Sequence, residues 1–335
     1  MKQFIAICGL LSTLTVGMPV VAQDFQGKQI KLMVGAPPGG GYDAYARLLA
    51  QHMGRNIPGQ PTFVVQNMPG AASISLVNHL MTAAPRDGTV IGAVFNLVAT
   101  NPLLFPAHAK YDSRELTWIG STLRETYVGI ARGDAFVSSL ADVMNKEVVV
   151  AGSTGATNSF PSFANAVLGT KFKVIVGYPG TRDGMLAVER KEVNGLVGTT
   201  YASVQATAKH DITSGAIKYF VQFGVRKHPD IPNVSWIYDY AKTPDQRSAM
   251  DLMFAAQEFG RPYILPPGVP APVVAMLRDA FDKTMKEERF LADAGRLSLD
   301  IDPLQGKDIA PLIEKIYRTP QHVIDSVKLI VGDVP

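Results

Sequence analysis

The chain has 335 residues, which at about 150 residues per domain allows two domains with a core each and excludes a miniature stapled fold. Its 47% hydrophobic and 18% charged residues, with no strongly biased segment, are a globular composition and not a disordered one. The 32 Lys and Arg against 29 Asp and Glu are scattered, so the one-signed stripe that a phosphate backbone demands is missing and nucleic acid is not an expected partner.

The first 22 residues read as an export signal. Lys2 is the sole charge before Asp24, Phe4 to Val16 is mostly apolar, and Pro19-Val20-Val21-Ala22 fits a cleavage after Ala22. The uncharged run approaches the minimum length of a membrane span, but Gly9, Ser12, Thr13, Thr15, Gly17 and Pro19 weaken it as an anchor. Cys8 is the single cysteine and lacks a lipoprotein lead-in, so the processed chain has no thiol for disulfides or nucleophilic chemistry. A soluble protein in a compartment outside the cytoplasm is expected.

Strands then alternate with helices. Gln29 to Gly35 is a short apolar strand, Ala36-Pro37-Pro38-Gly39-Gly40-Gly41 a loop, and Tyr42 to Arg55 a helix with apolar residues at helical spacing. Thr62 to Gln66 is a strand, Asn67 to Gly70 a turn, Ser73 to Ala83 a helix and Thr89 to Phe95 a strand. The order recurs: strand Glu147 to Ala151, a small-residue loop Gly152 to Asn158, helix Phe160 to Leu168 and strand Phe172 to Val176. A turn at Gly177 to Gly180, helix Thr181 to Arg190, strand Val193 to Val197 and loop Gly198 to Ser203 follow. Repeated β-α-β order predicts an α/β protein of two open, largely parallel sheets whose ligands lie at the carboxyl ends of the strands. Tyr127 to Ala131 and Tyr219 to Val225 bracket the second half and are expected to be the crossings between lobes. Amphipathic helices over Ala271 to Ala294 and Ile309 to Val327 should return to the first lobe. This divides the chain into a signal (1–22), lobe 1 (24–125 plus 227–335) and lobe 2 (126–226).

The loops carry the functional signal. Gly39, Gly40 and Gly41 let backbone N–H groups approach a ligand at the positive end of the following helix, an anion site; a tight turn alone would need one glycine. Gly152 to Ser159 clusters hydroxyls and an amide at a helix start, where capping is the competing explanation for Asn158 or Ser159. Nothing ionisable lies between Glu147 and Lys171, so this wall of neutral donors suits a carboxylate that must bind and later leave. Asp43 reads as a helix-start charge that organises the loop and not as a catalytic acid.

Enzyme motifs fail. The glycine loop lacks the Lys-Ser/Thr ending of a P-loop, and no acid ends the second strand to hold a dinucleotide ribose. Ala151-Gly152-Ser153-Thr154-Gly155 has Ala where a nucleophile elbow needs glycine. The six histidines form no ligand pair, so neither a metal nor a cofactor is expected.

Ala36-Pro37-Pro38-Gly39-Gly40-Gly41-Tyr42-Asp43, Asn67-Met68-Pro69-Gly70-Ala71, Pro85-Arg86-Asp87-Gly88, Gly152-Ser153-Thr154-Gly155, Val176-Gly177-Tyr178-Pro179-Gly180 and Pro266-Pro267-Gly268-Val269-Pro270 follow one another as in the Bug family. The chain resembles these periplasmic solute receptors of tripartite tricarboxylate transporters over essentially its whole processed length. The resemblance implies a type II periplasmic binding protein fold, two Rossmann-like lobes joined by two crossing strands around a ligand cleft. It implies a monomer that captures a small carboxylate and delivers it to membrane permease subunits. Carried over by position, its ligand-binding residues are Pro38, Gly39, Gly40, Gly41, Tyr42, Asp43, Gly70, Ala71, Ala72, Ser73, Phe95 and Asn96, faced by Ser153, Thr154, Thr157, Asn158, Tyr178, Thr199 and Thr200. This chain departs from the family at Met68 (usually Arg), Ala72 and Ser73 (Gly-rich), Pro179 (Lys) and Thr199 and Thr200 (often Asp nearby). Without that acid an amino-acid ligand is disfavoured, and Tyr42, Phe95 and Met68 suit an aromatic or branched acid. An exported α/β enzyme acting on a carboxylated substrate, and a receptor serving a membrane kinase, stay open as alternatives.

Overall fold

The computed structural model describes residues 25–153 and 155–332; the export signal and, among the candidate site residues, Thr154 lie outside them. In chain order the elements are β1 (Gln29–Val34), α1 (Gly41–Met53), β2 (Thr62–Asn67), α2 (Ile74–Thr82), β3 (Val90–Ala93), α3 (Asn101–Leu104), β4 (Thr117–Ser121) and β5 (Tyr127–Arg132). Then come α4 (Leu140–Asn145), β6 (Val148–Gly152), α5 (Ala156–Leu168), β7 (Phe172–Val176), α6 (Thr181–Glu189), β8 (Gly195–Thr200), α7 (Tyr201–Ser214) and β9 (Ile217–Phe223). The chain finishes with α8 (Pro244–Phe254), β10 (Pro262–Leu265), α9 (Ala271–Thr284), α10 (Glu288–Arg296), β11 (Leu304–Gln305), α11 (Gly306–Tyr317) and α12 (Gln321–Val331).

Two sheets form. The first has the order β11-β4-β10-β3-β1-β2 and the second β7-β6-β8-β5-β9. Side-chain alternation sets their faces. In β1, Ile30, Leu32 and Val34 join the core under α1, α9 and α10, while Met33 turns to the opposite core with Leu76 and Leu80 of α2 and Ile309 and Ile313 of α11. That second core continues without a break to the second sheet, taking in Val148 and Val150 of β6, Phe160 and Phe163 of α5, and Leu252 and Phe254 of α8. Phe254 is fully buried, with ring centroids 5.2 Å from Phe160, 5.4 Å from Phe163 and 5.9 Å from Phe223. Met185, Val188, Val204 and Ala208 cover the other face of the second sheet.

Both sheets are mixed and not largely parallel. β10 runs antiparallel between β3 and β4, and β5 antiparallel between β8 and β9. These pairings join strands far apart in sequence, so a local β-α-β pattern does not disclose them. The strands expected as crossings are β5 and β9; Tyr127 opposes Phe223, so the chain enters the second sheet beside where it leaves it. The approach to β5 is braced by Thr122 N–H on Arg261 O (3.2 Å) and Glu125 N–H on Gln257 O (2.8 Å). Arg124 before β5 and Arg226 after β9 both pair with Asp302, tying the two passages to one tail carboxylate.

Three element predictions need correction. The expected loop at 198–203 is the end of β8 and the start of α7, a helix hidden by weak amphipathicity, with Val204 and Ala208 its buried residues. The single helix expected over 271–294 divides into α9 and α10. That expected over 309–327 divides into α11 and α12 at Thr319-Pro320, because proline removes a helical N–H and clashes with the preceding turn.

Replacing Phe254 by Ala should cost about 3–5 kcal/mol, the range for deleting a buried aromatic ring from a core. Urea unfolding would check this, with a shift in midpoint at unchanged slope as the expected outcome.

Candidate functional site

β1 runs into the glycine loop, and α1 begins at Gly41 without a side-chain cap. The loop supplies its own anion. Asp43, 3% exposed, accepts from the Gly39 amide (2.9 Å), from Arg47 Nε (2.8 Å) and from Asn67 Nδ2 (2.9 Å), and Asn67 also donates to Ala36 O (2.9 Å). The Arg47 guanidinium, with the amides of Gly39 and Asn67, holds the Asp43 carboxyl down to about 2. One of the three loop amides is thereby committed within the protein. Gly40 has extended dihedrals, and a Cβ there would meet nothing nearer than Pro37 O at 3.9 Å, so this position faces open space.

Tyr42 leaves the loop toward the strand ends. Its ring lies 4.4 Å from that of Phe95, its hydroxyl accepts from the Asn96 amide (3.2 Å), and the Arg261 guanidinium sits 4.3 Å over its face. Burial pushes the Tyr42 hydroxyl up to about 12. Arg261 is in turn paired with Glu125 (3.0 Å), so its charge is already matched.

After β2, Ala71, Ala72 and Ser73 have φ of 43°, 49° and 72°, three consecutive side chains in the left-handed region. Each costs about 1–2 kcal/mol relative to the right-handed conformation, strain of the kind that accumulates at functional loops. Ser73 is fully buried; its hydroxyl donates to Gly35 O (3.0 Å) and accepts from the Phe95 amide (3.0 Å), tying the ends of β1 and β3 together. Gly35 is obligatory for this contact, since a Cβ there would stand 2.2 Å from Ser73 Oγ.

Across the cleft, β6 leads into α5. The Ser153 amide donates to Thr157 Oγ1 (2.9 Å), the two hydroxyls are 3.1 Å apart, and Asn158 Nδ2 donates to Ser153 O (2.9 Å), so Thr157 and Asn158 hold the loop in shape. Asn158 Oδ1 and Thr199 Oγ1 are buried without a hydrogen-bond partner among the described residues. Thr200 is the N-cap of α7, accepting from the Ser203 amide (3.1 Å). Tyr178, half-buried, follows β7 and donates its amide to Gly152 O (3.3 Å).

Four of the candidate residues line two cavities, Ala72 and Asn96 the one and Gly41 and Thr200 the other. One, of about 280 Å³, brings Ala72 and Asn96 of the first sheet's loops against Gly155, Ala156 and Phe160 of the second, with Tyr127 and Gln257 at the passages. The other, of about 840 Å³, has Gly41 and Thr200 among a polar lining that includes Arg124, Glu125, Arg261 and Asp302. The other described candidates line neither cavity, Gly39, Gly40, Ser153 and Tyr178 among them, and Asp43, Ser73, Thr157 and Asn158 spend their side chains on intramolecular bonds. Tyr127 and Gln257 were not legible as site residues: the first reads as a core strand position, and the second lies in an irregular Ala255–Phe259 turn that no periodicity marks. Among the described residues no group of His, Cys, Asp or Glu could hold a metal ion, and no helix is long and apolar enough to cross a membrane.

Two mixed sheets that present loops and helix starts to each other across a cleft define a two-lobe binding-protein fold. The family described as Tripartite tricarboxylate transporter family receptor matches residues 45–329, and the chain belongs to it. A TctC solute-binding protein from Polaromonas solved without ligand superposes with a TM-score of 0.69 at 17% identity, over 91% of this chain and 98% of that one. MatC from Rhodopseudomonas palustris with bound malate gives 0.54 at 18% identity (88% and 98% covered). A further R. palustris protein, solved with adipate, gives 0.56 at 16% identity (89% and 97%). No curated protein sequence matches this chain.

Two predictions follow from the loops. Asp43 titrates lower in the folded protein than its ordinary 3.8, so it stabilises the fold above about pH 4 and that stabilisation is lost as pH falls toward 2. At 1.36 kcal/mol per unit this amounts to about 2 kcal/mol; Asp43→Asn should remove it at pH 7 and flatten the acid limb of a stability–pH curve. Ala72→Gly should raise stability by about 1 kcal/mol, because glycine accepts the left-handed φ without a Cβ penalty; thermal unfolding of the unliganded protein checks it.

Proposed function

We propose that the protein is a monomeric periplasmic receptor, exported by a signal cleaved after Ala22, that captures a small carboxylated solute between its lobes. It hands the solute to the permease subunits of a membrane transporter without transforming it. Lobe 1 comprises residues 24–125 with 227–335 and lobe 2 residues 126–226. The observation that carries this reading is the family match over most of the chain. The relatives solved with malate and adipate support a carboxylate as the solute class.

The solute carboxylate is held by neutral groups. Gly39 is engaged with Asp43, which leaves the amides of Gly40 and Gly41, at the positive end of α1, as the loop's donors to a solute. The Ala71 to Ser73 backbone and the side chains of Tyr42, Phe95 and Asn96 complete this half, together with Pro38 and Gly70. Ser153, Thr199, Thr200 and Tyr178 serve the acid from the second lobe, with Thr157 and Asn158 bracing the Ser153 loop; Thr154 joins them as a candidate by its place in the sequence. Holding an anion on backbone dipoles avoids a fixed counter-charge that would have to be desolvated at every binding and release. Solute bound to both halves favours the closed arrangement over the open one, and the passages at 122–126 and 224–226 take up the rotation.

A thermal-shift and calorimetric panel of mono-, di- and tricarboxylates, aromatic acids included, tests this reading, because a solute specific to the folded state raises the melting temperature by mass action. At least one acid should bind and be recovered unchanged. Gly40→Val should abolish that binding while leaving the fold intact, since a Cβ there meets nothing nearer than Pro37 O at 3.9 Å and the rest of the side chain would stand beside the amide proposed to hold the acid. Ser153→Ala should weaken it by about 0.5–1.5 kcal/mol, one neutral hydrogen bond. Absence of binding by every acid, turnover of the acid, or undiminished affinity in Gly40→Val would contradict the proposal.

A further inference from the structure

Arg261, just before β10, sits between the glycine loop and the passage into the second sheet. A Cβ on Gly41 would meet Arg261 Nη2 at 3.6 Å, which by ordinary backbone geometry puts that nitrogen within about 6 Å of the Gly41 amide. The guanidinium lies 4.3 Å over the Tyr42 ring and 5.3 Å from the Tyr45 ring, and the Arg261 amide donates to Ser121 Oγ (3.0 Å), so the side chain is fixed beside the loop. An unmatched cation at that range would strongly favour any carboxylate that reached the Gly41 amide.

Glu125 matches that charge. Its side chain is 9% exposed and that of Arg261 17%; the carboxylate pairs with Arg261 Nη1 (3.0 Å) and accepts from the Tyr127 hydroxyl (3.4 Å). Gly41, Glu125 and Arg261 line the same 840 Å³ cavity. Among the described residues, the other Lys, Arg, Asp and Glu side chains on that cavity are Arg124, matched by Asp302, and Lys209, Asp230 and Asp300, which are exposed to water. Glu125 and Arg261 thus form the charge pair that is both shielded from water and beside the loop amide, and their balance decides the sign of the field there.

We infer that Glu125 sets the affinity for acids: matched to Arg261 it keeps the amide site neutral, and without it Arg261 becomes a counter-charge for the solute carboxylate. This rests on the carboxylate-receptor reading above and adds to it the residue that keeps binding weak enough for release. The solute stays on the Gly40 and Gly41 amides, and the pair acts on it through its charge.

Calorimetric titration of the processed full-length protein with malate, adipate, citrate and phenylacetate tests this in Glu125→Gln, Arg261→Gln and the double variant. The local charge is positive in the first, negative in the second and balanced in the parent and the double variant, and affinity should follow it. Glu125→Gln should bind whichever acid the parent binds at least about tenfold tighter, with slower release, and Arg261→Gln at least about tenfold weaker, with the double variant between the two. Arg261→Gln and the double variant both lose the guanidinium over Tyr42, so the difference between them reports charge alone. The unliganded melting temperature of Glu125→Gln should drop, because a shielded charge is left without its partner, and the acid should raise it further than it raises that of the parent. A purely structural role would weaken binding in all three variants. Glu125→Gln binding no tighter than the parent, or, where that variant does not fold, a double variant binding no tighter than Arg261→Gln, would overturn the inference and leave the receptor reading standing; if none of the four acids binds the parent or any variant, both fall.

Discussion

The buried Asp43 carboxylate is the constraint on which the first half of the site depends. It draws the Gly39 amide, Arg47 and Asn67 onto one side chain, and through Asn67 fixes the loop to Ala36 and the end of β2. A glycine-rich segment left to itself has many conformations to lose on folding or binding; this one is ordered in advance by Asp43. The same carboxylate limits the site. It occupies part of the positive end of α1, and under the proposed function a solute anion would be left the amides beyond it.

A second level of organisation comes from Ser73, whose hydroxyl bridges Gly35 and Phe95 and so sets the ends of β1 and β3 relative to the strained Ala71 to Ser73 turn. The Tyr42 and Phe95 rings then meet at a tilt of 58°, and Arg261, neutralised by Glu125, backs Tyr42 without offering a free charge. On the opposing lobe, Thr157 and Asn158 shape the Ser153 loop in the same manner. The two halves thus share a design: polar side chains that resemble ligand contacts are spent on holding the backbone of their loops.

This division explains which parts of the site were legible in the sequence. Strand, glycine loop and helix at residues 29–55 form a local pattern, and Asp43 is readable as a helix-start charge because its partners Gly39 and Arg47 are four residues away on either side. Ser73 looks like a donor for solute because its partners Gly35 and Phe95 lie 38 and 22 residues away. The insertion of β10 between β3 and β4 is likewise a long-range pairing, and it carries Arg261 and the preceding Gln257 to the passages between lobes. Helix α7 leaves little amphipathic signal in the sequence because it buries little, although its start at Thr200 shows a capping residue followed three positions later by Ser203.

The account comes down to a carboxylate held by backbone amides in a neutral cleft. A crystal structure of the protein with its best-binding acid tests this most directly. The account predicts a carboxylate oxygen about 3 Å from the amide nitrogen of Gly40 or Gly41, with the Ser153 loop closed over the same acid. A carboxylate paired instead with Arg124 or Arg261 in the polar cavity, with the glycine loop untouched, would contradict it.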